Sequence, residues 1–388
     1  MEKDTKTRII ISGGGTGGHI FPALSIAGAI RQLRPQADIL FVGAEGRMEM
    51  QRVPDAGYPI VGLPVAGLDR KHLWKNVAVA WKLLRSQWMA RKLIKEFRPQ
   101  VAVGVGGYAS GPTLKMAAQM GIPTLIQEQN SYAGVTNRLL ARKARRICVA
   151  YEGMERFFPA DRIQLTGNPV RQNLTEAPVD REEAARCFGL DARKKTVLVL
   201  GGSLGARTLN RTMCDGLPLI QQHPEVQFIW QTGKVYIEQV RQQLSAYTGE
   251  AVRNGRVQSM PNLYVTDFIS RMPAAYAMAQ LVVSRAGAGS IAELCLLGKP
   301  AVLVPSPNVA EDHQTKNAMA LVQKQAARYL ADSEAGEKLL PLVWQTVADD
   351  DALQQLARNI GQLARPDAAR EIAIEVLRLA DEGTDVKR

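Results

Sequence analysis

Cysteine and histidine are scarce in this 388-residue chain, at four residues each. The cysteines, Cys148, Cys187, Cys214 and Cys295, make no CxxC pair, so neither a disulfide framework nor a thiolate zinc site is expected. No stretch approaches the roughly 18 uninterrupted apolar residues that a membrane span needs. The opening MEKDTKTRIIIS holds an apolar run too short for a signal-peptide core, and a reduced, cytosolic setting is the expectation. No glycine cluster runs into G-K-[ST], which excludes a P-loop. The acidic run Asp349–Asp351 follows a helical pattern rather than a strand end. It reads as a solvated loop, and no protein-built metal site and no cofactor are expected.

What the chain has in quantity is glycine, proline and positive charge. The 33 glycines and 20 prolines show no fixed period, which excludes a collagen repeat, while 46% apolar residues exclude a disordered tract. The length suits two domains with separate cores. The formal net charge is +12 and is carried unevenly. Residues 1–170 hold 24 Lys/Arg and 12 Asp/Glu, whereas residues 171–388 hold 25 of each. A basic first half implies an acidic partner: nucleic acid, an anionic lipid surface or another acidic molecule.

Short apolar runs alternate with helical patterns along the whole chain. Strands are expected at Arg8–Ser12, Asp38–Gly43, Val101–Gly104, Pro123–Ile126 and Ile147–Ala150 in the first half. The second half repeats the pattern at Thr196–Gly201, Val226–Gln231, Leu281–Ser284 and Ala301–Pro305. Strands this apolar, separated by helices, predict an α/β chain with parallel sheets covered on both faces. Four strands run into glycine-rich turns: GGGTGGH at 13–19, GVGGYASG at 104–111, GGSLGA at 201–206 and RAGAGS at 285–290. Such turns let backbone N–H groups approach an anion, and the following helix N-terminus adds partial positive charge. Gly13, Gly15 and Gly18 satisfy the dinucleotide fingerprint, but its acidic partner at the end of the second strand is not in place: Asp38 begins that strand and Glu45 lies just beyond it. His19 follows the first turn, and an imidazole there suits a general base near neutral pH.

Seven blocks in order carry a resemblance. They are GGGTGGHIFPALSIA at 13–27, GGYASGPTLKMAA at 106–118, QEQNSYAGVTNRLLA at 127–141, TGNPVR at 166–171, GGSLGARTLN at 201–210, SRAGAGSIAELCLLGKPAVLVP at 284–305 and DHQTKNA at 312–318. Together they closely resemble the MurG family. The resemblance implies a GT-B fold, two Rossmann-like lobes with parallel sheets facing a cleft. It implies an acceptor and membrane-facing lobe over residues 1–168, with a final helix from about 366 to 388 packing back on it, and a UDP-GlcNAc-binding lobe over residues 169–365. The implied reaction moves GlcNAc from UDP-GlcNAc to the C4 hydroxyl of MurNAc in lipid I, inverting the anomeric centre and releasing lipid II and UDP.

Residue by residue, the resemblance makes His19 and Glu128 the catalytic candidates. It places Thr16, Gly17, Gly18 and Asn130 on substrate, together with Arg171 of TGNPVR and Ser203 of the third turn. Phe268 and Ile269 match positions at the uracil, and Ala288, Gly289, Ser290, Ile291, Ala292 and Glu293 match the segment around the nucleotide, with Glu293 on the ribose hydroxyls. Gln314 and Asn317 match positions near the GlcNAc. Gln127, Leu204 and His313 depart from residues common in the family.

Residues 70–98 hold nine Lys/Arg against the single acid Glu96. Trp74, Trp81 and Trp88 recur every seven residues, with Val77 and Leu84 between them, which makes one stripe on a helix. That stripe is either packed on its own lobe or, with Lys75, Lys82 and Arg85, turned toward an anionic membrane surface on the cytoplasmic face. Other classes stay open at this point: a nicotinamide oxidoreductase using Gly13–Gly18, a basic nucleic-acid-binding protein, or another sugar-nucleotide enzyme such as a UDP-GlcNAc epimerase. No RRM, KH or helix-turn-helix signature supports the nucleic-acid reading.

Overall fold

The computed structural model describes residues 6–15, 17–65, 76–170, 174, 179–202 and 204–385. The chain divides into two compact units, one of residues 1–171 and 365–388, the other of residues 172–364. Each is a parallel sheet with helices on both faces.

In the first unit the centre is β1 (Arg8–Ser12), where Ile9, Ile10 and Ile11 are wholly buried. Side chains alternate across a strand, so Ile9 and Ile11 join one apolar layer and Ile10 the other. The first layer is built by α1 (Gly17–Leu33) and by the last helix, α15 (Ala368–Asp385), through Ile26, Ile30, Val376 and Leu379. The second is built by α3 (Asn76–Phe97) and α4 (Ser110–Gln119), through Ala90, Ile94 and Ala117. A strand buried on both faces has no polar side to show, which is why β1 reads as an unbroken apolar run.

The strand order is β3-β2-β1-β4-β5-β6-β7, with β2 at Asp38–Ala44, β3 at Ile60–Leu63, β4 at Val101–Gly104, β5 at Thr124–Glu128, β6 at Arg146–Val149 and β7 at Ile163–Leu165. The second unit repeats the pattern as β10-β9-β8-β11-β12-β13. Its strands are β8 (Lys195–Leu200), β9 (Val226–Gln231), β10 (Leu263–Thr266), β11 (Ala279–Ser284), β12 (Ala301–Leu303) and β13 (Arg328–Tyr329). Both are the doubly wound order, in which the chain reverses direction across the sheet beside the first strand. Ligands bind at that reversal, outside the carboxyl ends of the strands.

Two expectations change. The run Asp349–Asp351 is a helix start rather than a loop: the Asp349 carboxylate accepts from the Ala352 amide at 2.9 Å and caps α14 (Asp350–Gly361). Sequence also missed four strands, β3, β7, β10 and β13, and these four are the sheet edges. Edge strands need less apolar side chain, and β7 is half-buried throughout while β13 is exposed.

Candidate active site

All four glycine turns fall on the two reversal points. In the first unit GGGTGGH leaves β1 and GVGGYASG leaves the adjacent β4; in the second GGSLGA leaves β8 and RAGAGS leaves the adjacent β11.

The first pair interlocks. A Cβ on Gly107 (φ +83°) would sit 2.3 Å from the Gly14 carbonyl oxygen, and one on Gly13 2.2 Å from Val105 Cγ2. Ser110 stitches the turns by donating its hydroxyl hydrogen bond to the carbonyls of Ser12 and Gly106, both at 2.8 Å. His19 lies in the first turn of α1, half-buried, with its ring on the Cα face of Gly106 (φ +92°). A Cβ at residue 106 would stand 2.8 Å from His19 Cδ2 and 2.9 Å from Nε2, so only glycine leaves that ring its place. Gly17 is half-buried and Gly18 exposed at the helix start, while Thr16 lies outside the described residues.

Glu128 ends β5 and is 2% exposed. Its Oε1 accepts from the Asn130 amide at 3.0 Å and Asn130 Nδ2 at 3.3 Å. Its Oε2 accepts from the Gly134 amide at 3.0 Å and Asn137 Nδ2 at 2.8 Å. Burial pushes the Glu128 carboxyl above its usual range, and these four donors pull the other way. The side chain thus ties down the loop that carries Asn130. Behind it, Gln129 Nε2 donates to the Val105 carbonyl at 2.6 Å and also to Gln127 Oε1. Gln127 Nε2 then donates to Asn168 Oδ1 of TGNPVR at 3.2 Å. Arg171 lies outside the described residues.

In the second unit, the β8 turn needs glycine where its backbone meets the loop after β9. A Cβ on Gly205 (φ +83°) would lie 2.2 Å from the Thr232 carbonyl oxygen. Gln231 Nε2 donates to the Gly202 carbonyl at 3.2 Å. Ser203 lies outside the described residues, and its neighbour Leu204 is exposed. At the end of β10, Ile269 is buried and Phe268 is 46% exposed, so an apolar ring stands in solvent beside a packed backbone. After β11, α11 (Ala288–Leu296) starts with no side-chain cap on its first amides, the arrangement that serves an anion. Ala288 and Ile291 are buried, whereas Gly289, Ser290, Ala292 and Glu293 are half-buried. Glu293 Oε2 accepts from the Tyr276 hydroxyl at 2.9 Å. Gln314 and Asn317 lie on α12 (His313–Val322). Gln314 Oε1 accepts from the Ser306 amide at 2.8 Å, and Asn317 Nδ2 donates to the Ala286 carbonyl at 3.3 Å. Both α12 side chains are therefore fastened to turns at the strand ends.

Sequence reasoning missed Arg285 and Asp332, which pair with side chains 13% and 17% exposed. Arg285 Nη1 also donates to the Val304 and Pro305 carbonyls at 3.0 and 3.1 Å, and Asp332 accepts from the Thr208 hydroxyl at 2.8 Å. One half-buried ion pair thus joins the first turn of the helix Arg207–Asp215, the loops after β11 and β12, and the segment after β13. It also missed Glu49. That carboxylate stands at the start of α2 (Glu49–Asp55), buried against the first turn.

The basic helix settles one alternative. Ser86, Ala90 and Ile94 are its buried face, whereas Trp81, Leu84 and Trp88 are 71%, 62% and 66% exposed. The described part of the stripe, Trp81, Leu84 and Trp88, is not packed on its own unit. Lys82 and Arg85 are exposed beside it. Trp74 and Lys75 lie outside the described residues, as does the side chain of Val77. No helix among the described residues is long and apolar enough to cross a membrane. Nor do these residues group three or more His, Cys, Asp or Glu as a metal site would.

Residues 9–149 match the glycosyltransferase family 28 N-terminal domain, and residues 196–372 match the family's C-terminal domain. A Bacteroides fragilis "UDP-N-acetylglucosamine--N-acetylmuramyl-(pentapeptide) pyrophosphoryl-undecaprenol N-acetylglucosamine transferase" is 68% identical over 97% of this chain and 96% of its own length. Among solved structures, Acinetobacter baumannii MurG superimposes with a TM-score of 0.73 at 29% identity, covering 96% of this chain and 99% of that one. A Neisseria meningitidis UDP-GlcNAc 2-epimerase reaches a TM-score of 0.66 at 14% identity over 96% and 99% of the two chains, a likeness of fold alone. With its reversal points, turns and full-length relatives in agreement, the chain belongs to the MurG family of N-acetylglucosamine transferases within glycosyltransferase family 28.

Proposed function

We propose that this chain transfers GlcNAc from UDP-GlcNAc to the C4 hydroxyl of MurNAc in lipid I, releasing lipid II and UDP. The observation that carries this reading is the full-length 68% identity to a transferase of that name. Inversion at the anomeric carbon means a single displacement, which asks for a base on the acceptor hydroxyl and for stabilised charge on the leaving UDP.

In this reading His19 takes the proton from the C4 hydroxyl as the new C–O bond forms and the bond to the UDP oxygen breaks. Gly17, Gly18 and Thr16 shape its surroundings, and Asn130 binds acceptor on a loop that Glu128 holds in position. The four donors on its carboxylate favour that positioning role over direct proton transfer. The second unit holds the donor. Ile269 reads the uracil edge with Phe268 against the base, Glu293 accepts from the ribose hydroxyls, and Ser203 with the amides of residues 288–292 takes the pyrophosphate. Gln314 and Asn317 face the GlcNAc, and Arg171 contacts substrate from TGNPVR. Backbone amides and a helix start can carry the leaving charge here.

The exposed stripe of Trp81, Leu84 and Trp88 with Lys82 and Arg85 is the docking surface for the anionic cytoplasmic face of the cell membrane, where lipid I is held by its polyprenyl chain. By sequence spacing alone, Trp74 and Lys75, seven residues before Trp81 and Lys82, are assigned to the same function. An assay of labelled UDP-GlcNAc with a lipid I analogue tests the reaction, and retention of the label in UDP-GlcNAc after addition of acceptor would defeat it.

A further inference from the structure

The first glycine turn already holds an anion, and it is the protein's own. Glu49 is 1% exposed and lies directly under the turn. The Gly15 amide donates to Glu49 Oε1 at 3.0 Å and to Oε2 at 3.1 Å, and the Ala44 amide donates to Oε1 at 3.0 Å. Two glycines open the slot for this side chain. A Cβ on Gly14 (φ +148°) would sit 2.1 Å from Glu49 Oε1, and one on Gly43 2.6 Å from Glu49 Cγ. A buried carboxylate costs folding energy, recovered only through hydrogen bonds.

The glycines at 13–15 therefore divide by cause. Gly13 makes room for Val105, and Gly14 makes room for Glu49. The Gly15 amide, which a bound phosphate would otherwise use, is spent on the carboxylate. A second anion at Gly14–Gly15 would meet Glu49 a hydrogen bond away, and like charges that close repel.

We propose that Glu49 is a positioning residue for the transfer: an internal anion that fixes the Gly13–Gly15 backbone and through it the start of α1, so that His19 stands correctly for the acceptor hydroxyl. The inference rests on the reading of His19 as the base. Glu49 touches no substrate; its effect passes through the turn. Glu49→Gln keeps the size but sets an amide N–H against the backbone donors that the carboxylate accepts from.

The test is a mutant cycle on the full chain with a lipid I analogue. Glu49→Gln is expected to lower kcat about tenfold or more with the KM for UDP-GlcNAc kept, since misplacement of a catalytic group costs turnover rather than donor binding. In a His19→Ala background the same substitution is expected to cost less than about twofold, because residues acting through one group are not additive. A merely structural residue would lower activity by the same factor in both backgrounds, and that result, or an unchanged kcat in Glu49→Gln alone, overturns the proposal. If the Gln variant does not fold, Glu49→Asp retains the charge with one methylene less, and its kcat loss is read in the same two backgrounds. Should His19→Ala itself turn over normally, the reading of His19 as base falls, and a kcat loss in Glu49→Gln would then show a turn effect independent of it.

Discussion

His19 is held by what surrounds it more than by its own chemistry. The ring lies on Gly106, whose missing Cβ is the space it occupies. Its place in the first turn of α1 was legible in the sequence as a histidine just past a glycine cluster. The partner glycine, some ninety residues on, was legible only as a second turn of unknown location. If His19 is the base, His19→Ala lowers kcat on lipid I about 100-fold or more and leaves donor KM near its wild-type value; steady-state kinetics with both substrates varied reads both effects. Lys299, at the far end of the second sheet from the glycine turns, shows the opposite economy. Its Nζ donates to the Ala279 carbonyl at 3.0 Å, and burial with nearby Arg181 lowers its pKa to about 8. A lysine with a lowered folded pKa destabilises the fold where it is charged in both states, below about pH 8, and the cost fades as pH rises toward the unfolded value of about 10.4. Lys299→Met is therefore expected to raise stability by about 1–2 kcal/mol near pH 7, after loss of one hydrogen bond, and by progressively less toward pH 10. Thermal melts across that range check the sign; a gap that widens with pH contradicts it.

At the scale of elements, sequence shows what is buried on both sides and hides what lies at an edge. The nine strands read from apolar runs are the interior strands of the two sheets, three with the expected ends and the others displaced by one or two residues. The four edge strands lack that signature because one side of the ladder is open. The turns were legible as turns, since glycine at positive φ leaves a mark in composition. Their pairing at the reversal points was not, because it depends on strand order, which no local pattern encodes. On α3 the seven-residue spacing correctly placed Trp81 and Trp88 on one stripe, yet spacing cannot tell an inward stripe from an outward one. The structure turns it outward. A helix showing two tryptophans, a leucine and exposed cations to solvent suits an interface of apolar and anionic groups. With about 1 kcal/mol for each basic residue near anionic lipid, Trp81→Glu is expected to weaken binding to anionic vesicles at least about tenfold, measured by sedimentation. Binding indifferent to anionic lipid content and to this substitution would remove the membrane surface from the account.

Across the whole molecule, the charge imbalance and the chemistry separate by unit. The net excess of positive charge lies within residues 1–170, whereas residues 171–388 balance at 25 against 25. The balanced half carries the turns proposed to hold UDP, which relies on glycine backbone and the uncapped start of α11 rather than on bulk charge. The basic half carries the exposed helix and the loop ordered by Glu128. One sheet plan, used twice, provides two reversal points, of which the first is proposed to serve the acceptor and the second the donor. The central claim, acceptor-dependent transfer with inversion, is tested most directly by incubating the purified chain with labelled UDP-GlcNAc and a lipid I analogue and determining the product's linkage. The account predicts a β-linked GlcNAc–MurNAc disaccharide formed in equal amount with UDP, and no change in UDP-GlcNAc when acceptor is omitted. Conversion of UDP-GlcNAc without acceptor, or an α-linked product, would contradict it.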